Sequence, residues 1–104
     1  MKIYDKLVRD LIPDIISKDD SVCDIKICDK DELSKRLEDK LKEEVSEYLE
    51  DKNLEELADV MEVLFGLAHS LGYSEEDLMK KREEKLALRG GFKKGIILKS
   101  VSKK

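Results

Sequence analysis

The chain has no tryptophan, one proline, one histidine, two cysteines, five glycines and only 5% aromatic residues in 104 positions. Each scarcity excludes something. Few aromatics and few turn-formers argue against a sheet sandwich and favour an all-α fold. One histidine and one cysteine pair leave too few soft ligands for a structural zinc site. Cys23 and Cys28, in VCDIKIC, read as small apolar side chains, because a cytosolic thiol pair usually stays reduced. Long apolar runs are also missing. No stretch approaches the ~20 residues of a membrane span, and the opening MKIYDKLVRD lacks the apolar run of a signal peptide. A cytoplasmic protein with no membrane contact is expected.

What is abundant is charge, at 44% of residues. It is unevenly spread: residues 1–79 hold 11 bases and 23 acids, residues 80–104 hold 10 bases and 2 acids, so −12 faces +8 within a net −4. An acidic chain with few stacking side chains does not suit stable nucleic-acid binding. The split allows either an ordinary solvated surface with a basic tail, or acids that hold a metal beside bases that receive phosphate. The length is that of one domain, residues 1–104, since a second core would need roughly another hundred residues.

The pattern along the chain is helical. KIYDKLV alternates enough for a short strand, and RDLIPDIISKD reads as a short helix with Pro13 in its first turn, where the missing N–H costs little. CDIKIC is expected to be a second extended piece. At DKDE, Asp29 can cap a long helix and Glu32, three residues on, can close a capping box. The same run resembles the start of a calcium loop, but Ser34 occupies the position that needs glycine. The helix is expected over about residues 31–50, with Leu33, Leu37, Leu41, Val45, Tyr48 and Leu49 as its apolar stripe.

A turn around DKN leads to a helix over residues 54–70 that is apolar around most of its circumference, from Leu54 through Met61 and Phe65 to Leu71. Such a helix is buried on more than one side, which in a small chain implies a homodimer or homotetramer. Ser74 then caps a third long helix ending near Arg89, at the glycine pair. The tail GFKKGIILKSV is expected to be extended and to pair with the N-terminal strand. The core is thus a helical hairpin, completed into a four-helix-type bundle by dimerisation, with short extended ends.

One constellation carries chemistry. Glu44 and Glu47 are three residues apart on one helix, and Glu44 projects between Leu33 and Leu37, at the border of the apolar stripe. Glu56 and Asp59 repeat the spacing on the only polar side of the next helix. An antiparallel hairpin would bring the pairs face to face, and four carboxylates together call for a hard divalent cation, magnesium with manganese as a substitute. A di-iron bundle would need a Glu-x-x-His on two helices, which is absent. A plainer reading remains for each acid: Glu56 lies three residues after Asn53 and could close a capping box, while Glu43 and Glu47 could belong to a wet face. His69, late on the buried helix, reads as structural. Lys85 and Arg89, four apart on the last helix, are candidate phosphate ligands, with Lys40 a further one; salt bridges to the acidic helices would explain them equally well. Phe92 is expected to anchor the tail in the core, the alternative being a stack on a nucleotide base.

EEVSE followed by ELAD resembles the EExxE and ExxD motifs of the MazG-like, all-α nucleoside triphosphate pyrophosphohydrolases. YDKLVRDLIPDII and KREEKLALRGGFKKGIIL resemble the ends of the phosphoribosyl-ATP pyrophosphohydrolase-like, house-cleaning branch. The resemblance implies a Mg2+ site at Glu44, Glu47, Glu56 and Asp59. It makes Glu43 and Glu44 catalytic acids, Glu43 orienting water, and adds Lys6 and Arg9 to the phosphate-binding cations. The implied reaction is hydrolysis of a nucleoside triphosphate, or a related nucleotide, to monophosphate and pyrophosphate, clearing non-standard nucleotides. Two other readings stay open: an oligomeric helical interaction module, and a nucleotide binder without turnover.

Overall fold

Four helices account for all the regular structure. The computed structural model describes residues 1–104. The helices are α1 (Ile12–Lys18), α2 (Lys30–Asp51), α3 (Leu54–Ser70) and α4 (Glu75–Arg89). Each of the long helices starts at a side-chain cap. The Asp29 carboxylate accepts from the Glu32 N–H at 2.8 Å, the Asn53 side chain from the Glu56 N–H at 2.9 Å, and the Ser74 hydroxyl from the Asp77 N–H at 3.0 Å. These bonds satisfy donors that a helix start otherwise leaves orphaned. Only at α4 is the box reciprocal, the Asp77 carboxylate accepting from the Ser74 N–H at 2.9 Å. At α2 the expected return bond is missing, because Glu32 is drawn instead to Lys26 at 2.7 Å and to Arg36 at 3.5 Å. Charge-assisted pairs outcompete a neutral amide donor for the same carboxylate.

α2 and α3 form an antiparallel hairpin across a two-residue turn. Lys52 takes a left-handed conformation with φ 48°, and its N–H closes α2 on the Tyr48 carbonyl at 2.7 Å. The open end is pinned by a 2.6 Å hydrogen bond between the Ser34 and Ser70 hydroxyls. Between the two ends Leu37 packs onto Gly66, where an added Cβ would come within 3.0 Å of a Leu37 methyl. Glycine there lets the helices approach closely, and α4 returns across the far half of α3 through Gly72, at φ 93°.

Several expectations for the chain ends give way. Neither KIYDKLV nor the tail is a strand, and the two do not pair. Their backbone groups have no ladder partner within one chain, and an unpaired strand has nothing to hold it. CDIKIC is likewise without regular structure, and Cys23 and Cys28 are unpaired thiols, each half-buried. Phe92 is 98% exposed and anchors nothing. His69 is exposed as well.

Only Leu37, Val63 and Ala68 are fully buried apolar residues. α3 is therefore covered on the side facing α2 and, at its far end, by α4; the side opposite α2 near its start is open, and burial on several sides is not reached within a single chain. No helix is long and apolar enough to cross a membrane.

Candidate metal centre

The turn at Lys52–Asn53 fixes the register of the hairpin, and with it which acids meet. Carboxylate oxygens of Glu44, Glu56 and Asp59 lie within 4.8 Å of one another, and those of Glu43, Glu44 and Glu47 form a second such trio. The two groups share Glu44. All four carboxylates expected to face each other across the hairpin thus belong to one continuous cluster, with Glu43 joined to it.

Glu44 is the unusual member. It is the only buried charged residue, at 7% exposure, and its Oε1 meets Lys40 Nζ at 3.3 Å while its Oε2 has no partner. Glu56 Oε2 is buried and unpartnered as well. An orphaned carboxylate oxygen away from water loses its hydration with nothing in return. The capping-box explanation for Glu56 fails on geometry, since Asn53 caps the helix but the Glu56 carboxylate makes no return bond.

The electrostatics follow from this crowding. Apposition to the Glu44 carboxyl pushes the Glu47 carboxyl above its usual range, with loss of solvent and the charges of Glu56 and Glu43 adding to the effect. Glu56 is also raised, first by loss of solvent and then by Asp59, Asp51, Glu44 and Glu55. Glu43 behaves oppositely. Burial pushes its carboxyl upward, but hydrogen bonds from Lys6 at 3.0 Å and Lys40 at 3.3 Å outweigh that and hold it below the usual range.

The N-terminal segment lies across the cluster. Lys6 Nζ pairs with Glu43, which raises the Lys6 pKa, and Arg9 Nη2 donates to Asp59 Oδ1 at 2.7 Å. The segment is held from the other side by Arg36, whose guanidinium donates to the Asp5 carbonyl at 2.9 Å and carboxylate at 3.0 Å. The Arg36–Asp5 clamp was not legible in the sequence, where nothing links the two residues.

Of the expected cations, the structure brings Lys6, Arg9 and Lys40 to the acids. Lys85 and Arg89 are exposed on α4, which packs on α3 and not on α2, and neither pairs with an acid. Two shallow hollows of 220 and 290 Å³ both border His69, roughly 15 Å along α3 from Asp59 at 1.5 Å per residue. The acid cluster itself opens onto solvent beside the N-terminal segment.

The donor set fits a hard cation. It consists of carboxylate oxygens alone, each trio close enough together for an ion of oxygen-only coordination, and two of those oxygens are buried without partners. Comparison of the chain with protein-family models, with characterised proteins and with solved structures returns no match.

Proposed function

We propose that the chain is a Mg2+-dependent nucleotide pyrophosphohydrolase of the MazG-like type, cleaving a nucleoside triphosphate or related nucleotide to monophosphate and pyrophosphate. The observation that carries this reading is the buried Glu44 carboxylate, unpartnered at Oε2 and shared by both acid trios. The resemblance of EEVSE, ELAD and both chain ends to that superfamily supplies the reaction.

Glu44, Glu47, Glu56 and Asp59 would hold the metal, with Mn2+ as a substitute. Mg2+ bound there supplies positive charge against the phosphate oxygens and makes water a better nucleophile. Glu43 stays ionised between Lys6 and Lys40, which suits it to accept hydrogen bonds from a water and orient it; a carboxylate held below its usual pKa is a weak proton acceptor. Lys6 and Arg9 are 44% and 55% exposed, so both can turn from carboxylate to phosphate without crossing a packed core. A fixed cation aimed at charge that develops on a leaving phosphate lowers the barrier most where water is excluded. Lys40 is anchored between Glu43 and Glu44 and serves mainly to balance their charge. A homodimer or homotetramer is the assembly proposed, and the cytoplasm, where nucleoside triphosphates are made and used, is the proposed location.

The test is a product survey. Purified protein with Mg2+ is incubated with individual natural and modified nucleoside triphosphates, and monophosphate and pyrophosphate are measured. Release of both, abolished by Glu44→Gln and by Asp59→Asn, is expected. Nucleotide binding without product would make the chain a binder without turnover. Neither binding nor product would leave the exposed apolar surface as its working part, and the chain an interaction module.

A further inference from the structure

The N-terminal segment carries two of the proposed phosphate ligands, Lys6 and Arg9, yet has little of its own to hold it in place. Residues 1–9 have no regular structure, and Leu7 is the only one of them that is not exposed. The helix that follows, α1, packs on none of the long helices. Among residues 1–8 the Asp5 carbonyl is the one main-chain group with a hydrogen-bond partner, and that partner is Arg36.

Three attachments tie the segment to the hairpin, and they differ in kind. Lys6 pairs with Glu43 at 3.0 Å and Arg9 with Asp59 at 2.7 Å. Both end on acids of the cluster, so both must loosen when Lys6 and Arg9 turn to phosphate. The third attachment involves no cluster acid. Arg36 Nη1 donates to the Asp5 carbonyl at 2.9 Å, and Nη2 donates to the Asp5 carboxylate at 3.0 Å. A planar fork that grips both the main chain and the side chain of one residue fixes its orientation as well as its place. The fork is itself set along its Nε edge, where Glu32 Oε2 lies at 3.5 Å, and Glu32 is in turn held by Lys26 at 2.7 Å.

The place of the clamp on α2 matters as much as its chemistry. Arg36, Lys40 and Glu43 stand at i, i+4 and i+7 and share one face, with Arg36 roughly 10 Å before Glu43 at 1.5 Å per residue. Asp5 adjoins Lys6 and precedes Arg9 by four residues, so fixing Asp5 limits how far either cation can stray from the acids. Arg36 is 30% exposed and Asp5 85%, and a pair so open to solvent adds little to folding stability. Its consequence is for where the segment lies.

We propose that Arg36 is a positioning residue: through Asp5 it keeps the N-terminal segment over the acid cluster while Lys6 and Arg9 exchange their carboxylate partners for the phosphates of a nucleotide. The proposal rests on the phosphate-binding part of the function proposed above. Without the clamp the two cations are over the cluster for only a fraction of the time, and apparent affinity falls by that fraction.

The experiment has one arm that needs no ligand and one that does. In the first, amide order parameters of the N-terminal segment are measured by nitrogen relaxation in chelator. With Lys6→Gln and Arg9→Gln combined, the clamp is the last ionic attachment, and residues 4–7 should stay nearly as rigid as α2. Adding Arg36→Lys, which keeps the charge and loses the fork, should free them. Residues 4–7 that are mobile before Arg36 is changed, or rigid afterwards, overturn the proposal. In the second arm, calorimetry reads the affinity for inorganic triphosphate at saturating Mg2+. Arg36→Lys should weaken binding about tenfold, the loss expected if the segment is in place a tenth of the time. In an Arg9→Gln background the same change should cost clearly less, because one of the side chains it acts through is gone. The melting temperature in chelator should not move. An equal loss in both backgrounds, or a lowered melting temperature with triphosphate affinity unchanged, overturns the proposal. Wild-type protein that binds no triphosphate would sink the function reading instead, and the first arm would still decide the attachment.

Discussion

Arg9 Nη2 donates to Asp59 Oδ1 at 2.7 Å, and Asp59 belongs with Glu56 to the trio built on the buried Glu44. A single carboxylate therefore serves two cations: the guanidinium of the N-terminal segment and the metal proposed for the cluster. A guanidinium so close to a ligand opposes a second positive charge. Arg9→Gln is expected to tighten Mg2+ binding about 3- to 10-fold, or roughly 1 kcal/mol, and to weaken nucleotide binding, because the same side chain is the proposed phosphate ligand. Calorimetry with Mg2+ alone, then with a nucleotide, separates the two effects. Tighter nucleotide binding in the variant would contradict the assignment.

Glu44→Gln makes a second prediction that runs against the usual rule for buried side chains. The substitution keeps the shape and removes a charge whose Oε2 has no partner in the metal-free chain. A buried group left unsatisfied costs about 1–3 kcal/mol, so its neutralisation offsets the lost pairing with Lys40. Denaturant unfolding in chelator should show Glu44→Gln as stable as the wild type or more so. A loss above about 2 kcal/mol would mean that the carboxylate is structurally satisfied without metal.

The pH dependence of the metal-free protein follows from the raised carboxyls. Glu47 and Glu56 are held above the usual glutamate value of about 4.3, so the folded state binds their protons more tightly than the unfolded state does. Stability from these two groups is greatest below the unfolded value and is lost as pH rises through the folded values. Glu43, held low, acts in the opposite direction and contributes stability that is lost as pH falls through its own folded value. Chelator melts of Glu47→Gln and Glu56→Gln should therefore show a weaker loss of stability on raising the pH above about 4.3 than the wild type. An unchanged slope in both would show that neither carboxyl is raised in the folded state.

Much of this was legible in the sequence because local rules set it. Asp29, Asn53 and Ser74 announce three helix starts, and the N–H groups they cap are where the caps require. Glu44 was readable as well, since helical periodicity alone sets a charged residue between Leu33 and Leu37. The structure finds it buried. What escaped was tertiary. Nothing in the sequence announces that Gly66 opens room for Leu37, or that Arg36 fastens Asp5. The expected strand at KIYDKLV failed for a related reason: alternation describes which faces a strand would have, but a strand exists only if a partner supplies its hydrogen bonds. Phe92 misled because apolar character states that a side chain needs cover without stating which chain supplies it.

The central claim is that Glu44, Glu47, Glu56 and Asp59 form one divalent-cation site. The most direct measurement is the melting temperature of the wild-type protein at fixed concentration, with Mg2+ or Mn2+ titrated against a chelator control. A site formed only in the folded state must raise it, by the equivalent of about 2.7 kcal/mol when the free ion is a hundredfold above its dissociation constant. The rise should vanish in Asp59→Asn. A wild-type melt that millimolar Mg2+ and Mn2+ leave unchanged would contradict the account.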